Sequence, residues 1–68
     1  MPPEELFTRR ELQVIKQIAK GKKYKDIAAY LGLHYETIKT YAARIRKKLG
    51  VSSKVEVALW AQKKGLGK

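Results

Sequence analysis

A chain of 68 residues and 7.8 kDa holds one small domain, near the lower size at which a core folds without staples. It has no cysteine, so neither disulfides nor thiolate metal sites add stability. Sixteen Lys and Arg against six Asp and Glu give a formal net charge of +10, which points to nucleic acid, anionic lipid or an acidic protein as partner, while 44% hydrophobic residues exclude a disordered basic tail.

The start of the chain, Met1-Pro2-Pro3-Glu4-Glu5, has no basic segment followed by an apolar one and does not resemble a signal peptide. No apolar run exceeds five residues, as at 57–61, which is too short to cross a bilayer. The expectation is a cytoplasmic protein whose residues 1–68 form a single domain, with an ordered core over about 6–66.

Glycines at 21, 32, 50 and 65 each follow a segment with helical apolar spacing, where a left-handed C-terminal cap is wanted. Thr8-Arg9-Arg10-Glu11 is a capping box, and Phe7 and Leu12 flank it as a hydrophobic staple. Leu12, Ile15, Ile18 and Ala19 line one face, with Val14 at its edge, so the spacing predicts a first helix over about 9–20. A second, over about 24–31, turns Ile27, Ala28 and Leu31 inward, and Tyr30 is expected to pack. The third, over about 35–49, repeats Ile38, Ala42, Ile45 and Leu49, with His34 in the cap position. Ser53-Lys54-Val55-Glu56 is a second capping box and opens a fourth helix over about 54–64. No alternating strand pattern is present, so the fold class is all-α with four helices. Gly32, Leu33 and His34 form a short connection that fits both a helix-turn-helix and an ordinary αα-corner, and spacing alone does not separate the two.

Charge is unevenly spread. Residues 1–20 carry a net +1, residues 21–50 a net +6 and residues 51–68 a net +3. With Ile38, Ala42, Ile45 and Leu49 inward, the third helix turns Glu36, Lys39, Thr40, Ala43 and Lys47 outward together, with Arg44 at the edge. One helix fills a major groove: Lys can donate to guanine, Thr offers a hydroxyl and a methyl, Ala can touch a thymine methyl, and Glu36 can accept from cytosine N4. Lys23 and Lys25 crowd the start of the second helix, and the hydroxyls of Tyr24, Tyr35 and Tyr41 are placed to reach phosphates, Tyr41 fitting a core-edge role equally well. His34 stands alone, without the partners for a metal site or a catalytic triad, and the plainer role for it is the cap.

Thr8-Arg9-Arg10-Glu11, Gly21, Lys25-Asp26-Ile27-Ala28, Leu31-Gly32-Leu33, Thr37-Ile38-Lys39, Ile45, Lys48-Leu49-Gly50-Val51 and Glu56 together resemble the LuxR/GerE-type DNA-binding domain over about 6–66, with unbroken spacing. The resemblance implies a four-helix domain, with a central helix-turn-helix, that binds double-stranded DNA as a homodimer with its third helix in the major groove. It puts Lys39, Thr40 and Ala43 at base-reading positions and Lys25, Thr37 and Tyr41 close to phosphates, where Lys23, Tyr24, Tyr35, Arg44 and Lys47 are expected to join them. It also makes the fourth helix the dimer element. That helix is apolar on more than one face, which a small monomer has no means to bury, so Val55, Ala58, Leu59 and Gln62 are expected at the interface while Val57, Trp60 and Ala61 pack inward. The sequence departs from the family pattern at Lys23-Tyr24, usually Ser-Asn, at His34, usually a Ser cap, and at Tyr41, usually His.

Transcription regulation through sequence-specific DNA binding is the leading expectation, with RNA polymerase as a further partner and the nucleoid as the location. The alternative is a protein-interaction module that keeps the scaffold without specific DNA binding. A membrane-surface peptide would need one strongly amphipathic basic helix, whereas here the apolar faces pack on one another. No activated nucleophile, general-base pair or phosphate loop is visible, so neither catalysis nor a cofactor, metal or small-molecule ligand is expected.

Overall fold

The computed structural model describes residues 3–67. The four predicted helices appear as α2 (Arg9–Ala19), α3 (Tyr24–Leu31), α4 (Tyr35–Leu49) and α5 (Lys54–Lys63), preceded by a one-turn helix α1 (Pro3–Leu6) that the spacing did not announce. Lys20 and Lys64, predicted as the last helical residues of their segments, are instead the C-caps of α2 and α5. No strand occurs among the described residues.

The core is built where the apolar stripes cross. Val14, Ile15 and Ile18 of α2, Ile27 of α3, Ile38 and Ile45 of α4, and Val57 of α5 are its fully buried large side chains. Each contributes about 1.5–3 kcal/mol by leaving water. Phe7 closes one end, its ring edge-on to Trp60 at 5.7 Å between centroids. Leu12, expected in the buried face of α2, is only half-buried. Tyr30, expected to pack, is 73% exposed, because Ile27, Ala28 and Leu31 already fill the inner stripe of the short α3.

Gly32 is what makes the short α3–α4 connection possible. At φ +68° it turns the chain left-handed, so that Leu33 N–H reaches the Ala28 carbonyl at 2.9 Å and the side chain of Leu33 packs on the core. Gly50 ends α4 in the same way, with Val51 N–H on the Arg46 carbonyl at 3.0 Å.

The two capping boxes differ. At α2 the box is complete: Glu11 N–H donates to Thr8 Oγ1 at 3.1 Å and Thr8 N–H to Glu11 Oε1 at 2.8 Å. At α5 only half forms. Glu56 N–H donates to Ser53 Oγ at 3.2 Å, but the Glu56 carboxylate accepts from the Ser52 and Ser53 hydroxyls rather than from backbone.

Glu11 has a second role. It is 3% exposed, and its Oε1 also accepts from Lys48 Nζ at 2.7 Å, pinning the start of α2 to the end of α4. The same ammonium stands 5.4 Å from the Phe7 ring centroid. Burial favours the protonated acid, but the Lys48 and Thr8 hydrogen bonds and the Lys48 charge outweigh it and hold the Glu11 pKa below its ordinary 4.5.

The end of α2 is closed by the end of the chain. Gln62 Nε2 donates to the Ala19 carbonyl at 3.0 Å, Leu66 packs on the core, and Gly67 lies so close that an added Cβ would meet Ala19 Cβ at 2.7 Å. Gly67→Ala is therefore expected to lift this segment and lower stability by about 1 kcal/mol, roughly 4–8 °C in Tm by thermal circular dichroism. An unchanged Tm would show that the contact contributes nothing.

Candidate nucleic-acid interface

The site begins with the division of α4 into two faces. Ile38, Ala42 and Ile45 are buried, and Glu36, Lys39, Thr40, Ala43, Arg44 and Lys47 are exposed, as the spacing requires. With side chains a helix is about 10–12 Å across, which matches a major groove of about 12 Å.

Across the first turns of α4, Lys39 Nζ lies 3.8 Å from Glu36 Oε2 and 5.5 Å from the ring centroid of the exposed Tyr35. Both partners of the pair are well exposed, so it is worth at most about 1 kcal/mol and gives way readily to a stronger acceptor. Thr40 Oγ1 donates to the Glu36 carbonyl at 3.1 Å, which fixes its rotamer and leaves its methyl and an oxygen lone pair outward. The candidate base-reading set of Glu36, Lys39, Thr40 and Ala43 is thus one contiguous patch, with Glu36 engaged to Lys39.

On one flank of this patch Thr37, Thr40, Tyr41 and Arg44 line a shallow hollow. The Thr37 hydroxyl, the Tyr41 phenol and the Arg44 guanidinium facing one depression are a set of donors suited to a phosphate. Tyr41 is half-buried and packs on the core, in keeping with the core-edge role expected for it, while it also lines the hollow. Lys47 is exposed further along α4.

Lys23 and Lys25 stand exposed at the start of α3. Lys23 occupies the N-cap position, but an ammonium has no acceptor to offer and makes no side-chain cap. His34 occupies the N-cap position of α4 and likewise makes no side-chain hydrogen bond there, contrary to its expected capping role. Tyr24 is only half-buried, and its hydroxyl accepts from Arg46 Nη1 at 3.3 Å.

On α5 the outward residues behave less uniformly. Val55 and Leu59 are 66% and 54% exposed, and with Ala58, Ile18, Gly21, Lys54 and Gln62 they line a mainly apolar hollow. Gln62, expected at a subunit interface, already spends its amide within the chain on the Ala19 carbonyl. Val57 and Ala61 are buried and Trp60 half-buried against the core, so the inward set is as expected.

Sequence reasoning missed the contacts of Arg46 and Lys54 with Tyr24 and of Lys48 with Glu11. Glu11 carried a usable signal, since it falls in line with Ile15 and Ile18 at helical spacing and so had to be buried.

The family model described as bacterial regulatory proteins, luxR family, matches residues 5–61. The chain is 46% identical over 52 residues to the transcriptional regulatory protein UhpA of Escherichia coli (strain K12), covering 76% of the chain and 26% of that protein. It is 38% identical over 64 residues to the transcriptional regulatory protein LiaR of Bacillus subtilis (strain 168), covering 94% and 30%. The oxygen regulatory protein NreC of Staphylococcus aureus (strain JH9) matches at 38% over 64 residues, again covering 94% and 30%. The chain thus spans less than a third of the length of these relatives, which are named as regulators rather than enzymes.

Proposed function

The chain belongs to the luxR family of bacterial regulatory proteins and carries its DNA-binding helix-turn-helix domain, and from that premise we propose that it binds double-stranded DNA sequence-specifically as a homodimer, with α4 in the major groove. The observation that carries this is the face of α4. Lys39, Thr40, Ala43 and Lys47 are exposed together beside the donor-lined hollow of Thr37, Tyr41 and Arg44, with Glu36 the one acid of that face. Lys39, Thr40, Ala43 and Glu36 read base edges, and Lys23, Tyr24, Lys25, Tyr35, Thr37, Tyr41, Arg44 and Lys47 serve the backbone. Val55, Ala58 and Leu59 form the contact with a second copy, Gln62 bordering it.

As a transcription regulator the domain works in the cytoplasm on the nucleoid, with RNA polymerase as the partner its binding ultimately influences. No helix among the described residues is long and apolar enough to cross a membrane.

Selection of bound duplexes from a random pool tests the proposal. A paired half-site is expected, its two halves related by the symmetry of the dimer. Lys39→Ala should then relax preference at one position of each half-site, worth about 1–3 kcal/mol of discrimination. Lys25→Ala should weaken all duplexes alike. Recovery of no enriched sequence, together with no duplex shift at low salt, would favour the protein-interaction module instead.

A further inference from the structure

Two of the cations given no role above meet at one tyrosine. Arg46, in the last turn of α4, and Lys54, the first residue of α5, converge on Tyr24 at the start of α3. The Arg46 guanidinium donates to Tyr24 Oη at 3.3 Å, and Lys54 Nζ stands 5.0 Å from the Tyr24 ring centroid. Neither has a carboxylate partner: among the described residues the ion pairs are Lys39–Glu36 and Lys48–Glu11. Lys23, which precedes Tyr24 in the chain, is exposed at the N-cap of α3.

Gathering like charges on one half-buried tyrosine costs energy unless an anion joins them. The tyrosine is also set up to help hold one. Its oxygen already accepts from Arg46, which leaves the phenolic proton free to donate outward.

Position on the helix decides which anion. At about 100° per residue, Arg46 falls on the same flank of α4 as Lys39 and Tyr35, whereas Thr37, Tyr41 and Arg44 fall on the other. A helix lying in a major groove runs between two sugar–phosphate backbones. A protein with donors on both flanks can therefore hold both strands. Resting on the DNA-binding role of α4, we propose that Arg46, Lys54 and Tyr24 form a second backbone grip. It binds a DNA phosphodiester on the strand opposite the one met by the Thr37–Tyr41–Arg44 hollow. Tyr24 holds Arg46 in place and adds its own phenolic donor.

The test measures affinity for a duplex recovered from the random pool as a function of salt, for the wild type and for Arg46→Gln, Lys54→Gln and Tyr24→Phe. Removing one phosphate contact flattens the log–log slope by about 0.9 per bound chain, or about 1.8 for a dimer, so a fourfold rise in salt narrows the wild-type advantage about 12-fold. Arg46→Gln and Lys54→Gln are each expected to show this change, and Lys63→Gln, an exposed control on α5, is not. Tyr24→Phe should weaken binding in the wild type and, with only the phenolic donor left to lose, by less in Arg46→Gln, a dependence that loss of fold alone would not produce. Circular dichroism confirms that each variant is folded; if Arg46→Gln loses helicity, Lys54→Gln carries the test. Slopes equal to the wild type in folded variants would overturn the second grip while leaving DNA binding by α4 intact. A flat slope for the wild type itself would overturn both.

Discussion

Glu11→Ala is expected to destabilise the protein by about 2–4 kcal/mol, against a total of about 3–10 kcal/mol for a chain of this length. One carboxylate oxygen accepts from both Thr8 N–H and Lys48 Nζ, so truncation removes the cap of α2 and its tie to α4 in one step. The cost stays below that of a fully buried pair because the Lys48 side chain is 36% exposed and can turn to water. Glu11→Gln separates charge from shape, since the amide keeps an oxygen for Thr8 N–H but loses the ion pair. The folded pKa of Glu11 lies below its ordinary 4.5, so the charged form contributes stability that is complete above the ordinary value. That contribution disappears as pH falls through the depressed folded value. Denaturant unfolding at neutral and at successively lower pH should show the gap between wild type and Glu11→Gln closing in that acid window. A gap of constant size down to the lowest pH would mean that the Lys48 pair does not stabilise the fold.

The same residue shows what a sequence can and cannot disclose here. Local devices were legible: the Thr8–Glu11 box, the stops at Gly32 and Gly50, and the inward repeat of Ile38, Ala42 and Ile45 each depend on neighbours within a turn or two. The outward face of α4 follows from that repeat by geometry alone. Lys48 could not be assigned to Glu11, because 37 residues separate them and no periodicity connects their helices. Arg46 and Tyr24, 22 residues apart, were missed for the same reason. His34 and Glu56 failed differently. Each had the residue type and position expected of it, but the side-chain rotamer chose solvent in one case and the Ser52 and Ser53 hydroxyls in the other. Gln62 was expected at a subunit interface because it shares a helix with Val55 and Leu59; that its amide also donates to the Ala19 carbonyl at the end of α2 was not legible, because it depends on how α5 crosses α2.

Raising salt from 50 to 200 mM should weaken duplex binding by about 10⁴-fold if two copies bind, which is the largest effect expected of this protein. Lys23, Lys25, Arg44 and Lys47 are the cations assigned to phosphate in each copy. At about 0.9 per phosphate, two copies give a log–log slope near −7. Adding the one phosphodiester held by Arg46 and Lys54 in each copy raises the expectation to about −9, so the wild-type slope alone already weighs the second backbone grip. A slope of about −1 or weaker would sink major-groove binding altogether. Leu59 makes the symmetry testable in the same titration. It is exposed on α5 and far in kind from any phosphate ligand, so a charge there changes no DNA contact directly. Leu59→Glu should put like charges into the contact between copies and split the dimer, which halves the slope without unfolding the domain. Weaker affinity with the slope unchanged would place the subunit contact elsewhere. A halved slope would tie the surplus apolar face of α5 to the excess positive charge of residues 21–50: a core this small leaves Val55 and Leu59 for a second copy, and the second copy doubles the cations that meet the duplex.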